Sequence, residues 1–186
     1  MDALRDRIPD YARDLRLNIS TVLTPQGAPG LSEPQIWMTA LASAIAARNA
    51  GLVRIVEATA SSKLDPAQVE AARAAAAIMG MNNIYYRFLH LVEDDEYAKL
   101  PAKLRMNVLG SHGIAKVDFE LVSLAVSALN GCGKCVASHE RKLREHEVGR
   151  EAVQSAVRIA SVIHAVAGVL DYEDARATVT TVSAAA

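Results

Sequence analysis

Cys132 and Cys135 are the only cysteines in the chain, and His139 follows four positions after the second. They lie in Asn130-Gly131-Cys132-Gly133-Lys134-Cys135-Val136-Ala137-Ser138-His139. Gly131 is suited to ending one helix, and a second helix starting near Cys132 would place all three groups on one face. At about 100° per residue, Cys135 is turned by roughly 60° from Cys132, and His139 by roughly 20°. Two sulfurs at this spacing can close a small ring. The free amides and positive dipole end of a helix start stabilise a thiolate, and Lys134 adds a cation nearby. This pattern predicts a dithiol–disulfide site.

The preceding helix supplies a fourth group. Residues 119–129 are apolar nearly all round, which predicts a buried helix with Asp118 as its cap. Its polar exceptions, Glu120, Ser123, Ser127 and Asn130, recur every three or four residues and form one stripe. If the two helices fold back on each other at Asn130–Gly131, residues equidistant from the turn face one another, and Glu120 lands near His139. In one continuous helix, Glu120 and Cys132 would be about 18 Å apart. A buried carboxylate orients an imidazole and raises its basicity, and the imidazole can then take the thiol proton of Cys135. Other readings stay open at this point. The cysteines could be small buried hydrophobes, or Cys132, Cys135 and His139 could hold zinc with Glu120 as fourth ligand. Glu120 could simply answer a helix dipole.

The elements that position these groups are helical. Alanine is abundant and β-branched runs bounded by turns are scarce, which predicts an all-α fold. Residues 2–23 read as charged amphipathic helix interrupted at Pro9, with a stripe of Ile8, Tyr11, Leu15, Ile19 and Val22. Residues 24–30 form a loop. Ser32 caps a helix reaching about Asn49, a second runs from Leu52 to about Ser61, and Asp65–Pro66 opens a long alanine-rich helix. That helix extends toward Met79 and on through Tyr85–His90. Residues 93–96 are an acidic break, followed after Pro101 by a short amphipathic segment and a turn at 110–113. Helices to about Glu147 and over 151–168 complete the chain, with fraying from Thr178. Ala44–Asn49 resembles Ala125–Asn130, and Asp65–Met79 matches Gly149–Ile163, which suggests an internal helix-hairpin repeat. The expected organisation is one domain over 1–186. It comprises an N-terminal arm and loop (1–30), a first cysteine-free repeat (31–90) and a second repeat bearing the cysteines (117–170).

Composition narrows the partners. A net charge of −1 and 4% aromatic residues give no footprint for nucleic acid. The charged N-terminus does not read as a signal peptide, and the apolar runs break short of the roughly 20 residues of a membrane span. A cytoplasmic protein without membrane association is expected, where close cysteines are catalytic or metal-binding rather than structural.

Three stretches resemble one known family: Ile8–Asn18, Met81-Asn82-Asn83-Ile84-Tyr85-Tyr86-Arg87-Phe88, and Phe119–Glu120 with Cys132-x-x-Cys135-x-x-x-His139. The chain is similar over nearly its whole length to the alkyl hydroperoxide reductase AhpD family of the carboxymuconolactone decarboxylase-like superfamily. The resemblance implies an all-α trimer that reduces the oxidised peroxiredoxin AhpC and has weak peroxidase activity of its own. It implies no tightly bound cofactor or metal. Electrons would come from dihydrolipoyl groups on a lipoylated acyltransferase served by dihydrolipoamide dehydrogenase. Cys132 and Cys135 would be the redox pair, with Cys135 the sulfur that exchanges with partners, and Glu120 and His139 the proton relay. Many relatives carry histidine directly before the second cysteine, where this chain has Lys134. Rival readings are a stand-alone thiol peroxidase, a decarboxylase or lactone-processing enzyme of the same superfamily, and a non-redox helical oligomer.

Overall fold

Two capping boxes set the frame of the first half. The Ser32 hydroxyl accepts from the Gln35 amide while the Gln35 side chain accepts from the Ser32 amide, starting α3 (Glu33–Ala47). Asp65 and Gln68 do the same for α5 (Pro66–Leu91), and each box carries proline in the first turn. Caps of this kind contribute about 1 kcal/mol each. They fix where the helices start.

In the computed structural model, which describes residues 1–184 and their side chains through Thr178, the described residues are all-α. The elements before α3 are α1 (Asp2–Arg5), a 3-10 turn (Asp10–Ala12) and α2 (Arg13–Val22). Then come α4 (Ala50–Ala60), α6 (Glu96–Lys99), a second 3-10 turn (Asn107–Gly110), α7 (Lys116–Leu129), α8 (Gly133–Glu145) and α9 (Arg150–Ala184).

Helices α3 and α7 pack side by side at the centre, flanked by α5 and α9, and α8 folds back along α7. Every residue from Ile36 to Ala44 is buried, as is every residue from Phe119 to Ser127. Central helices have no solvent face, which explains their lack of amphipathic pattern. Around them, α5 turns Ala71, Ala72, Ala75, Ala76 and Met79 inward, so this face of the alanine-rich helix is core. The inward face of α9 carries Ala156, Ile159, Ala160, Ile163 and Val166. By length and composition, Arg150–Thr178 is apolar enough to cross a membrane, but half of its most apolar window is buried inside the protein. The expectation that apolar runs are too interrupted for this is corrected: Gln154, Arg158, Ser161 and His164 lie on the outward side of a core helix.

Four local expectations are corrected. Helix α7 begins at Lys116 rather than after Asp118. Asp118 sits in its first turn and accepts from Gln35 Nε2 at 2.7 Å, so a contact to α3 replaces the cap role. Tyr11, expected on the apolar stripe, is 63% exposed and donates its hydroxyl hydrogen bond to Glu173, tying the N-terminal arm to α9. The segment after Pro101 is irregular, with Lys103 at φ +52°, and then forms a 3-10 turn. Finally, the last helix, expected over 151–168, spans Arg150–Ala184; Ala185 and Ala186 lie outside the described residues.

Candidate active site

The turn between α7 and α8 starts with Asn130 in helical conformation and Gly131 at φ +70°. That left-handed value suits glycine, and here it reverses the chain. The Cys132 amide reaches back to the Ser127 carbonyl and the Gly131 amide to that of Ala128, closing the end of α7. Cys132 is then the N-cap of α8, its sulfur accepting from the Cys135 amide at 3.3 Å. Cys132 and Cys135 form a disulfide, with Cα atoms 5.3 Å apart.

The two sulfurs have different surroundings. Cys132 is completely buried, whereas Cys135 is 6% exposed and lines a cavity of about 380 Å³ together with His139, Lys134 and Ser138 of α8. Phe119, Glu120 and Lys116 of α7, Met79, Asn82 and Tyr86 of α5, and Met106 and Leu109 of the following segment complete the walls. A ligand in this cavity meets Cys135 first.

The antiparallel packing of α7 and α8 brings Glu120 and His139 into direct contact. Glu120 Oε2 lies 2.6 Å from His139 Nδ1, and both side chains are about nine-tenths buried. Lys142, one turn further along α8, donates to the other carboxylate oxygen at 2.7 Å. Burial pushes the Glu120 carboxyl up, but the hydrogen bonds from His139 and Lys142, with their charges, outweigh it and lower its pKa to about 2. The carboxylate is therefore ionised at neutral pH and accepts from His139 Nδ1, which orients the ring and leaves Nε2 unengaged by the carboxylate. Of the other histidines, His90, His146 and His164 are exposed, and His112 stacks on Phe119 with ring centres 4.2 Å apart. Among the described residues, no group of three or more His, Cys, Asp or Glu side chains gathers as a metal site.

Helix α5 holds the turn in place. Asn83 donates from Nδ2 to Ser127 Oγ at 2.9 Å and accepts from Asn130 Nδ2 at 2.9 Å. One turn later, Arg87 Nη1 donates to the Asn130 carbonyl at 2.7 Å. The stripe Ser127–Asn130 thus faces α5, while Glu120 faces α8. Asn83 and Arg87 clamp the turn that aims the disulfide, and their role is absent from the reading of the sequence. The signal was present: a polar Asn-Asn pair followed by arginine comes directly after the apolar run Ala74–Met81. Lys142 was also missed, although it follows His139 by the three residues that put it on the same helical face.

We expect Arg87→Ala to lower stability by about 1.5–3 kcal/mol, the range for a hydrogen bond involving a charged group. Urea midpoints of the oxidised proteins check it; an unchanged midpoint would mean the carbonyl of Asn130 is equally well served by water.

Residues 95–174, which hold α7, α8 and most of α9, match the Carboxymuconolactone decarboxylase family. A protein from Rhodospirillum centenum named alkyl hydroperoxide reductase AhpD is 54% identical, covering 94% of this chain and 92% of the relative. Proteins of the same name are 55% identical in Gluconacetobacter diazotrophicus, covering 92% of each chain, and 51% identical in Streptomyces avermitilis, covering 93% and 96%. The chain belongs to the AhpD family. AhpD relatives match essentially from end to end, so the clamp on α5 and the cysteine hairpin both lie within the shared region.

Proposed function

We propose that this chain is an antioxidant thiol–disulfide oxidoreductase that reduces oxidised peroxiredoxin AhpC, with Cys132 and Cys135 alternating between disulfide and dithiol. The observation that carries the reading is the asymmetry of the sulfurs: Cys135 opens on a cavity shared with His139, and Cys132 lies behind it. A dihydrolipoyl thiolate attacks Cys135 Sγ, forming a mixed disulfide and releasing Cys132 as thiolate. The second lipoyl thiolate then attacks its own neighbour, closing the dithiolane and freeing Cys135. Two electrons pass to the protein. In the forward half-cycle His139 Nε2 takes the proton of Cys135, and the thiolate attacks the peroxiredoxin disulfide. Cys132 resolves that second mixed disulfide, restoring the Cys132–Cys135 bond. Glu120 positions the imidazole and stabilises it once charged. Lys134, one residue before Cys135, supplies a cation that favours the thiolate.

The same cavity admits a small hydroperoxide, which accounts for a weaker peroxidase activity. Cys135 thiolate would take one oxygen, releasing the alcohol, and Cys132 would condense with the sulfenic acid to expel water. Ile84, Phe88, Leu91, Tyr97, Leu100 and Leu104 are exposed apolar side chains along the end of α5 and the next segment. They support the trimer as the working assembly. The order α3–α4–α5 followed by α7–α8–α9, with left-handed turns at Arg48 and Gly131, supports reading 31–90 and 117–170 as two copies of one unit after the 1–30 arm. We place the cycle in the cytoplasm, where dihydrolipoyl carriers are kept reduced by dihydrolipoamide dehydrogenase.

The test is reduction of the oxidised protein by dihydrolipoamide, followed by thiol counting, with glutathione as comparison. Two new thiols per chain, formed faster than with glutathione, are expected. Equal rates with both reductants would remove the lipoyl assignment.

A further inference from the structure

One carboxylate serves two groups of α8. Glu120 Oε2 meets His139 Nδ1 at 2.6 Å, and Oε1 accepts from Lys142 Nζ at 2.7 Å. The side chains of Glu120 and His139 are 9% and 11% exposed, whereas that of Lys142 is 44% exposed. Charge in so buried a place is tolerated when it is balanced. Glu120 and Lys142 already balance each other, so a proton added to the imidazole leaves the cluster of three with a net positive charge. Without Lys142 the same proton would neutralise a lone carboxylate and be held more tightly.

The surroundings do not supply a second counter-charge. Among the described residues lining the cavity, Glu120 is the only acid. The other charged side chains there, Lys116 of α7 and Lys134 of α8, also disfavour a further positive charge, and α5 contributes the hydroxyl of Tyr86. Of the flanking groups, Asp118 is taken by Gln35, Glu140 by Arg144, and Arg87 by the carbonyl of Asn130.

We propose that Lys142 is a positioning residue for the base of the site: by claiming one oxygen of Glu120 it keeps the imidazole of His139 from being locked in its charged form. His139 is thereby left able to accept a proton. The charge balance stands on the geometry, and only the use made of the base rests on the thiol–disulfide reading.

The test follows the His139 ring by NMR from about pH 5 to 9 in the oxidised protein, where neither cysteine titrates. A His139→Gln variant assigns the signal. Lys142→Met should raise the His139 midpoint by about one unit, the size expected for losing one partly solvated charge nearby. Lys142→Arg, which keeps a cation and a donor, should leave it in place. In a Glu120→Gln background the effect of Lys142→Met should largely vanish, because the ammonium is no longer held beside the ring. Lys142→Gln serves if methionine packs poorly, and circular dichroism confirms folding. The inference falls if removing the lysine leaves the midpoint unchanged or lowers it. It falls equally if the shift is as large without the Glu120 carboxylate, which would make Lys142 a distant charge. The expected shift in a protein that dihydrolipoamide does not reduce would uphold the role of Lys142 and overturn the thiol–disulfide reading instead.

Discussion

Cys135→Ser is expected to abolish dithiol-dependent reduction of peroxiredoxin and hydroperoxide, a loss of at least about 10³-fold, while the protein stays folded. A serine hydroxyl ionises far above neutral pH and forms no disulfide, so no other atom can take the place of the cavity-facing sulfur. The core of α3 and α7 does not depend on this position, which lies on the outer hairpin helix. Cys132→Ser should behave differently. The cavity-facing thiol would remain, so a partner disulfide could still be attacked, but the mixed disulfide would persist because the resolving sulfur is gone. Trapping of a covalent complex with oxidised peroxiredoxin by Cys132→Ser, and not by Cys135→Ser, is the expected pattern on a non-reducing gel. Trapping by the opposite variant would reverse the assigned roles. Full activity of Cys135→Ser on a lactone or carboxylate substrate would instead favour the decarboxylase chemistry for which the matching family is named.

How much of this was visible in the amino-acid string depends on the range of the interaction. Helices α3 and α5 were legible at their starts because Ser32–Gln35 and Asp65–Gln68 are local devices, complete within four residues. The contact of Glu120 with His139 was also within reach, since a glycine turn between two helices fixes which residues oppose each other. Asp118 misled for the opposite reason. Its sequence position suits a cap, but Gln35, distant along the chain, claims the carboxylate. The same holds for Asn83 and Arg87, whose partners Ser127 and Asn130 belong to another helix. No periodicity in α5 says which loop its polar residues will hold. The segment carrying Met106 and Leu109 was hardest to read, because irregular chain that closes a cavity has no repeating pattern.

Glu120→Gln separates the electrostatic part of the site from its sulfur chemistry. Glutamine keeps the shape and one acceptor oxygen but loses the charge that orients the ring and stabilises a protonated His139. General-base assistance of this kind is worth about 10²–10⁴-fold, and we expect alkylation of the reduced protein by iodoacetamide at neutral pH to slow by about 10²-fold. The midpoint of its pH profile should move upward by about one unit, because the thiolate loses a nearby imidazolium partner. The stability effect has a definite sign. The Glu120 carboxyl titrates at about 2 in the folded chain against an ordinary 4.5. The charged form is therefore favoured by folding, and the stabilisation is fully present above about pH 4.5. It is lost as the pH falls toward 2, and amounts to about 3 kcal/mol at neutral pH. Glutamine mimics the protonated acid, so the gap between wild type and variant should be largest near neutrality, narrow below about pH 4.5 and be small by about pH 2.5. Lys142 is 44% exposed at its side chain and can be solvated when the carboxylate is gone, so Glu120→Gln should still fold. Urea denaturation from pH 2.5 to 7 measures one consequence and the alkylation profile the other. A stability gap without any change in alkylation would make Glu120 a structural anchor for α8 and leave His139 to act unaided.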